Sequence, residues 1–416
     1  MPRSGIGNMN LRRLLLTPYH FAWALFSALF YDFPASKIVV VGITGTKGKS
    51  SVAEMLHAVL SAAGHKTALA GTIRFAIGAD SKPNLYKMTL PGRGFIQRFL
   101  ARAVREGATH AIVELTSESA LQYRHQFLSL NALIFTNLQK EHVEAHGSFE
   151  KYFAAKYELG KELVASPKRP RAIVANTDDA RGKNFLSLPV EERVPFSLAD
   201  LDNLQVSEKG VAFAYRGTLF EVPQPGRFSA MNALAAIKAA EFLDVPLATC
   251  ARALGALVRI PGRAERIEAG QSFAVVVDYA HTPDSLRALY GAFPNRRKIC
   301  VLGNTGGGRD RWKRPEMGRI AEEACAEVIL TNEDPYDENP ERIVHDIMAG
   351  MRRPHSIIMD RRTAIHAALE KARAGDAVLI TGKGTDPYIM GPAGTKMPWS
   401  DGEVVREELE KLLAKS

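Results

Sequence analysis

Cysteine is scarce in this sequence. The chain has 416 residues and 3 cysteines, Cys250, Cys300 and Cys325. They are too few and too far apart for a disulfide framework or a zinc ribbon, so a small domain stabilised by disulfides or by zinc is excluded. We expect all three side chains to be reduced thiols.

The sequence also lacks a block of lysine and arginine interleaved with aromatic residues, the pattern typical of a nucleic-acid interface. The formal net charge is nevertheless +9, carried by basic residues scattered along the chain. Scattered positive charge suits an acidic small substrate such as a nucleotide or a carboxylated peptide. We therefore expect small-molecule and peptide substrates and no nucleic-acid partner.

No apolar run is long enough to cross a bilayer. The most apolar stretch, residues 19–31, covers about 13 residues, whereas a spanning helix needs about 20. It lies in a leader, residues 1–36, without a small-residue cleavage site of the kind that follows a signal peptide. We expect a helix packed on the first domain of a cytoplasmic monomer. Peripheral membrane contact through Arg12, Arg13 and the leader aromatics is the alternative.

After the leader, apolar strands alternate with longer helical segments in two successive blocks, as in parallel sheets covered on both faces. Residues 37–262 are predicted to form the larger domain and residues 263–416 the smaller. The predicted fold class is α/β, with a P-loop ATPase domain built on a mostly parallel sheet and then a Rossmann-like α/β domain. Residues 203–222 alternate polar and apolar side chains, which predicts a β-meander.

A glycine-rich turn between an apolar strand and a helix is the strongest local signal. The β-branched run 39–41 leads into this turn, and Gly48-Lys49-Ser50 opens a helical pattern. In such a cradle, backbone N–H groups and the helix N-terminus face phosphates, the lysine reaches the outer phosphates, and the serine hydroxyl binds magnesium. The residues predicted to bind nucleotide here are Gly45, Thr46, Lys47, Gly48, Lys49, Ser50 and Ser51.

The turn, spelled Thr-Gly-Thr-Lys-Gly-Lys-Ser over residues 44–50, resembles the ATP loop of the Mur ligase family. Three further stretches are similar to motifs of that family. They are the Thr-Asn run at 136–147, the Asp-Tyr-Ala-His-Thr-Pro-Asp run at 278–284 and the glycine-rich loop at 303–310. The resemblance covers about four-fifths of the chain and is strongest to the tripeptide synthetases of the family.

The resemblance implies ATP and two Mg²⁺ ions as cofactors, and it assigns roles to residues by motif. Ser50, Glu114, His142 and Lys156 would bind metal, with Lys156 carbamylated so that an ammonium becomes an oxygen ligand. Lys49, His142, Lys156 and Arg263 would be the catalytic residues. Asn137, Asn232, Arg263, Asp278 and His281 would contribute to nucleotide binding.

The same resemblance implies where the two substrates bind. Thr89, Ser117, Gln122 and Arg124 match the residues that hold the acceptor peptide, although Glu118 replaces a histidine of the family pattern. Asp334, Tyr336 and Asp386 fall in the motifs that select the amino acid. Tyr336 stands where a diaminopimelate-adding enzyme has arginine, and a tyrosine cannot form a bidentate clamp on a carboxylate. We therefore do not expect diaminopimelate as the amino acid.

The expected reaction is ATP-dependent amide formation through an acyl phosphate, on a peptide acceptor related to peptidoglycan. Tripeptide synthetases carry a UDP-binding domain of about 100 residues, and only 36 residues precede the loop domain in this sequence. We expect the acceptor to be recognised through its peptide end. A folylpolyglutamate synthase-like or a cyanophycin-type ligase is the alternative.

Overall fold

The computed structural model describes residues 6–92, 94–141, 146–353 and 355–414, with side chains from residue 17 onward. The described chain divides into two compact units. The first comprises the residues up to 140 with 146–201 and 231–254; the second comprises 202–230, 255 onward and the segment that begins at Glu141. The predicted boundary between residues 262 and 263 stays a prediction.

An eight-stranded sheet forms the first unit, in the order β4-β3-β2-β5-β1-β6-β7-β8. The six neighbouring strands β2, β5, β1, β6, β7 and β8 pair in parallel. Strands β3 and β4 extend the sheet at the β2 edge with antiparallel pairing. Strand β1 in the middle of this sheet is almost fully buried, as expected for a parallel sheet covered on both faces. The strands are β1 Val39–Thr44, β2 Thr67–Ala70, β3 Arg74–Ile77, β4 Asp80–Pro83, β5 His110–Glu114, β6 Ala132–Phe135, β7 Ala172–Asn176 and β8 Glu192–Phe196.

Helices pack against the sheets of both units. The helices are α1 Ile6–Phe30, α2 Lys49–Ala62, α3 Phe95–Arg105, α4 Ser117–Leu121, α5 Phe149–Ala165, α6 Gly182–Leu186, α7 Arg227–Phe242, α8 Leu247–Ala256, α9 Pro283–Gly291, α10 Lys313–Ala324, α11 Pro340–Met348, α12 Arg361–Glu370 and α13 Asp401–Leu413. Among the described residues, no helix is both long and apolar enough to cross a membrane.

The second unit contains an antiparallel sheet and a mostly parallel one. The predicted β-meander is confirmed as the sheet β11-β10-β9, formed by β9 Asp202–Val206, β10 Val211–Tyr215 and β11 Thr218–Val222. The larger sheet has the order β12-β13-β17-β14-β15-β16, with antiparallel β12 at its edge. Its strands are β12 Glu265–Arg266, β13 Ala274–Asp278, β14 Lys298–Leu302, β15 Glu327–Leu330, β16 Ser356–Ile357 and β17 Ala377–Thr381. A hairpin of β18 Tyr388–Met390 and β19 Lys396–Pro398 follows.

The expectation of three reduced cysteines is wrong. Cys300 in β14 and Cys325 after α10 form a disulfide, and only Cys250 is a free, buried thiol. Since β14 and β15 run side by side, the two Cα atoms lie 6.2 Å apart, within the range that a disulfide spans. A separation of 25 residues in the sequence gave no sign of this proximity.

A buried ion pair ties α12 to α13. Arg361 Nε and Nη2 donate to the two carboxylate oxygens of Asp401 at 2.8 and 2.7 Å, and both side chains are fully buried. Arg361→Met would leave the Asp401 carboxylate buried without its partner, so we expect the free energy of unfolding to fall by about 3–5 kcal/mol. Urea denaturation measures this change.

Arg319→Met is the matched control, because Arg319 pairs with Glu323 at the surface. Exposed pairs of this kind contribute less than about 1 kcal/mol. Equal loss of stability in the two variants would contradict the assigned role of the Arg361–Asp401 pair.

His57, on the helix that follows the glycine-rich turn, is buried and shares a hydrogen bond of 2.8 Å with the Thr67 hydroxyl. Burial, reinforced by the charge of Arg74, lowers the pKa of His57 from 6.5 to about 4. The unfolded chain therefore binds a proton that the folded chain rejects, and stability falls as pH drops from 6.5 to about 4. We expect His57→Gln to flatten this slope by about 1.4 kcal/mol per pH unit. Thermal unfolding followed across that range, with exposed His345→Gln as the control, tests the prediction.

Candidate active site

The site of the first unit lies where three neighbouring parallel strands end. In the register of the sheet, Ile43 of β1 pairs with Glu114 of β5, and Thr44 pairs with Phe135 of β6. Ligands of open α/β sheets bind at the carboxyl ends of such strands. The segments that follow β1, β5 and β6 therefore converge on one edge.

Two glycines of the turn after β1 let neighbouring side chains approach its backbone closely. Gly45 has φ +143° and Gly48 has φ +84°, conformations that favour glycine. A Cβ on Gly45 would lie 1.9 Å from Thr136 Oγ1, and a Cβ on Gly48 would lie 2.3 Å from Asn232 Oδ1. The turn thus adopts its shape only with glycine at these positions, and Asn232 of α7 lies beside it.

Lys49 begins helix α2 and folds back over the turn. Its Nζ donates to the carbonyl oxygens of Gly45 and Thr46, both at 2.9 Å. The ammonium is thereby held at the helix N-terminus, where backbone N–H groups and the helix dipole already favour an anion. Ser50 and Ser51 complete the first turn of this helix.

Glu114 is buried at the end of β5 and connects the glycine-rich turn to Thr72, which contacts the predicted acceptor residue Thr89. Its Oε2 accepts hydrogen bonds from the hydroxyls of Ser50 and Thr72, both at 3.0 Å, and its Oε1 accepts from the backbone N–H of Thr72 at 2.8 Å. The Thr72 and Thr89 hydroxyls lie 2.9 Å apart. A carboxylate and a serine hydroxyl in contact are oxygen ligands of the kind that Mg²⁺ prefers.

The segment after β6 fixes the backbone of the turn. Asn137 Oδ1 accepts from the N–H of Lys47 at 2.9 Å, and its Nδ2 donates to the carbonyl of Lys47 at 3.1 Å. The N–H of Thr46 donates to the carbonyl of Asn137 at 2.8 Å, and the Thr46 hydroxyl accepts from the N–H of Gln139. In the described structure Asn137 therefore positions the phosphate-binding turn.

Lys156 reaches the same turn from helix α5. It is buried, its Nζ donates to the carbonyl of Gly45 at 2.7 Å, and it lies 4.8 Å from the centroid of the Tyr152 ring. The Tyr152 hydroxyl is 3.2 Å from Thr46 Oγ1. Lys156 and Lys49 thus share Gly45 as an acceptor, which brings two predicted catalytic lysines together.

His142, the predicted histidine ligand, lies outside the described residues. Within the part of the chain that the structure describes, no group of three or more His, Cys, Asp or Glu side chains could hold a metal ion. Of the predicted metal ligands, Ser50 and Glu114 are in direct contact in the described structure.

Three of the predicted acceptor residues lie at the start and just after the end of α4. Ser117 Oγ lies 3.1 Å from His146 Nε2. Arg124 donates to Gln122 Oε1 and to the carbonyl of Leu90. Burial lowers the pKa of Arg124, and the charge of Glu118 partly offsets this effect.

In the second unit, Arg263, Asp278 and His281 surround the end of β13. Asp278 Oδ2 accepts from the N–H of Ala264 at 2.6 Å, and the Arg263 guanidinium lies 4.5 Å from the centroid of the Tyr279 ring. His281 Nε2 is 2.7 Å from Glu141 Oε1. These contacts order the segment around Arg263.

Lys383 anchors the predicted amino-acid selector. Its buried Nζ donates to Asp334 Oδ1 at 2.7 Å and to Asp386 Oδ2 at 3.3 Å. Asp334 Oδ1 also accepts from the N–H of Met390 at 2.9 Å. Tyr336 has φ +52°, and its ring lies so close to Gly307 that a Cβ there would meet it at 2.9 Å.

Sequence reasoning missed Thr72, Lys383 and Glu141. Thr72 follows β2, a strand that was not predicted, so its approach to Glu114 was not visible. Lys383 was not among the predicted selector residues, although it lies three positions before Asp386. The contact between Glu141 and His281 joins residues 140 positions apart, and no local spacing indicates it.

A glycine-lined phosphate turn at the carboxyl end of a mostly parallel sheet, with lysine, serine and a buried glutamate, defines a P-loop ATPase fold. Comparison with known proteins gives the family. Residues 43–240 match the Mur ligase middle domain, and residues 262–384 match the Mur ligase glutamate ligase domain. The chain belongs to the Mur ligase family, whose members are ATP-dependent, ADP-forming amide ligases.

Individual relatives agree with this assignment. The UDP-N-acetylmuramoyl-L-alanyl-D-glutamate–2,6-diaminopimelate ligase of Gloeobacter violaceus is 37% identical over 408 residues, which cover 93% of this chain and 80% of the relative. A solved structure of a ligase with the same name is 30% identical, with a TM-score of 0.62, 90% coverage of this chain and 79% of the other. The fold is shared with Mycobacterium tuberculosis folylpolyglutamate synthase complexed with ADP, at 17% identity, a TM-score of 0.71 and 99% coverage of both chains.

Proposed function

We propose that this chain is an ATP-dependent, ADP-forming ligase that joins an amino acid to a carboxylate of a peptide acceptor related to peptidoglycan. One observation carries the proposal. A continuous chain of hydrogen bonds runs from Ser50 in the phosphate turn through Glu114 and Thr72 to Thr89, a predicted acceptor residue. Such a chain supports a site in which an acceptor carboxylate would lie beside the transferable phosphate. A cytoplasmic location and a monomeric state are part of the proposal.

The residues present fit a nucleotide and a divalent metal. Gly45 and Gly48 give the turn a backbone conformation that favours glycine, and Lys49 supplies a positive charge at the helix N-terminus. Ser50 and Glu114 would hold Mg²⁺, which would neutralise charge on the phosphates. A second Mg²⁺, held by His142 and a carbamylated Lys156, belongs to the proposal.

In this mechanism the acceptor carboxylate attacks the γ-phosphorus of ATP, and the bond to the β-phosphate oxygen breaks to give ADP and an acyl phosphate. Lys49 stabilises the charge that spreads over the transferring phosphoryl group. The amine of the amino acid then attacks the acyl carbon, phosphate leaves, and the amine loses a proton. Asn137 and Thr136 act by holding the backbone of the turn, since both bond to the Lys47 carbonyl.

Gln122 and Arg124 would bind the acceptor, together with Thr89 and Ser117. The Arg124 guanidinium is a planar, charged donor held by Gln122 and the Leu90 carbonyl, and such a group suits the carboxylate that the peptide end of the acceptor would supply. Asp334, Tyr336 and Asp386 would bind the amino acid. The names of the relatives state diaminopimelate, but here the Tyr336 ring packs on Gly307 and offers no charged fork, so we propose a different amino acid.

A screen of phosphate release tests the function. UDP-muramoyl dipeptide with and without its UDP group, folate and acidic peptides are each combined with the standard amino acids and diaminopimelate. We expect release that requires ATP, Mg²⁺, one peptide acceptor and one amino acid together. Release with folate alone would instead favour the folylpolyglutamate alternative, and ATP hydrolysis indifferent to every acceptor would contradict ligase activity.

The two muramoyl acceptors also test how the acceptor is recognised. Similar kcat/KM values would support recognition through the peptide end. A preference of more than about a hundredfold for the UDP form, about 2.7 kcal/mol, would contradict it.

A further inference from the structure

A groove runs along helix α1 from the acceptor residues to the surface. Two overlapping cavities of about 580 and 380 Å³ form it, and both are lined by Trp23, Ser27, Tyr86, Pro91 and Phe95. The larger cavity ends at Gln122 and Arg124, whereas the smaller continues to Phe26 and Phe30. The groove therefore has a cationic end and an aromatic end.

Helix α1 is closely seated where it forms one wall of this groove. Gly94, with φ +73°, approaches the helix so tightly that a Cβ would lie 2.7 Å from the Cβ of Ser27. On the same helix, Phe21 packs with its ring centroid 5.9 Å from that of Tyr123 and 5.8 Å from that of Phe127. The wall is thus fixed to the segment that carries Gln122 and Arg124.

The segment at the cationic end is itself unusual. Tyr123 has φ +54°, a left-handed conformation that costs free energy for a residue other than glycine and often marks a functional site. This conformation lies between the two predicted acceptor residues. Within the described part of the chain, no carboxylate forms an ion pair with Arg124, although its guanidinium is half-buried. A half-buried guanidinium of this kind suits an anionic ligand.

The aromatic end exposes a large apolar area, and Arg98 is the charged residue that lines it. Trp23 is 39% exposed and Tyr86 is 50% exposed, and both line the groove. Phe26 and Phe30 extend the same surface at 59% and 70% exposure. Contiguous apolar surface beside a polar anchor is the usual make-up of a small-molecule site.

We propose that this groove binds an apolar group that the acceptor carries beyond the carboxylate held at Arg124. The acceptor is then an amphiphile, with its reacting peptide end at the phosphate turn and its apolar end along α1. The inference rests on the proposed ligase function, which determines that the reacting peptide end of the acceptor lies at the phosphate turn. The groove itself is a property of the first unit and can be tested by binding alone.

The test compares two probes by equilibrium dialysis without ATP: N-octanoyl-alanyl-glutamate and N-acetyl-alanyl-glutamate. We expect the octanoyl probe to bind the full chain at least about tenfold more tightly, because its additional methylene groups are transferred from water into the groove. Ala24→Trp, which fills the larger cavity, and Trp23→Ala, which removes a wall, should each bring the ratio of the two Kd values close to 1. Leu29→Ala is the matched control on the same helix, since Leu29 is exposed and does not line the groove.

Equal affinity for the two probes, or an octanoyl preference that survives in Ala24→Trp, would overturn the proposal. Binding of the chain to plain anionic vesicles with no octanoyl preference would also overturn it and assign the surface to a membrane. Circular dichroism confirms that each variant is folded, and the two groove variants act by opposite changes in volume. Ligase activity with equal probe affinities would refute the groove alone, whereas probe preference without phosphate release would refute the proposed function alone.

Discussion

Lys49→Ala should abolish acceptor-dependent phosphate release, with a loss in kcat of at least about a thousandfold. In phosphoryl transfer the protein contributes mainly positioning and charge stabilisation, and a cation beside the transferred group contributes about 10³-fold or more. Lys49 is held at this place by its hydrogen bonds to the Gly45 and Thr46 carbonyls. Steady-state phosphate release at saturating ATP and Mg²⁺ measures the effect.

Lys161→Ala provides the control for this prediction. Lys161 is an exposed lysine on α5 that pairs with Glu158, and its loss should leave turnover within about twofold of the parent. Undiminished acceptor-dependent release from Lys49→Ala would refute the assignment of the phosphate site.

Lys156→Ala should also inactivate the protein, and short carboxylic acids should partly restore its activity. The proposal makes Lys156 a carbamate, whose two oxygens would bind metal and whose remaining N–H can still donate to the Gly45 carbonyl. Acetate or propionate, added at millimolar concentration, would supply the missing oxygen ligands. We expect a loss of at least about a hundredfold and a rescue of about tenfold, which the same assay measures.

Ethylamine and propylamine serve as the matched additives, because they replace an ammonium and not a carboxylate. Rescue by the amines with none by the acids would show that Lys156 acts as a cation and would contradict the carbamate. Dependence of the parent activity on added bicarbonate is a second readout that a purely structural lysine would not show.

The phosphate turn and the family were predictable from the sequence because their residues are close together along the chain. Residues 44–50 place lysine, serine and glycines within one turn, and the structure has that turn between β1 and α2 as predicted. The fold class and the Mur ligase resemblance are confirmed. The individual roles of Glu114, Lys156 and the acceptor residues stay predictions, although the structure brings Glu114 and Lys156 to the turn.

What the sequence could not reveal depends on the order of strands in space. The order β2-β5-β1 brings Thr72, which follows β2, beside Glu114 of β5, and no local pattern states that order. The short edge strands β3 and β4 were missed since β4 is exposed and polar. The disulfide was missed for the same reason, because Cys300 and Cys325 meet only when β14 and β15 pair.

The most direct test of the central claim follows oxygen from acceptor to phosphate. The acceptor found in the screen is labelled with ¹⁸O in its carboxylate, and phosphate released with ATP and the amino acid is analysed by mass spectrometry. An acyl phosphate predicts one ¹⁸O atom in each released phosphate, because the amine breaks the bond between the acyl carbon and the oxygen that came from the acceptor. Unlabelled phosphate would show that water, and not the acceptor, takes the phosphoryl group, and would contradict the ligase mechanism.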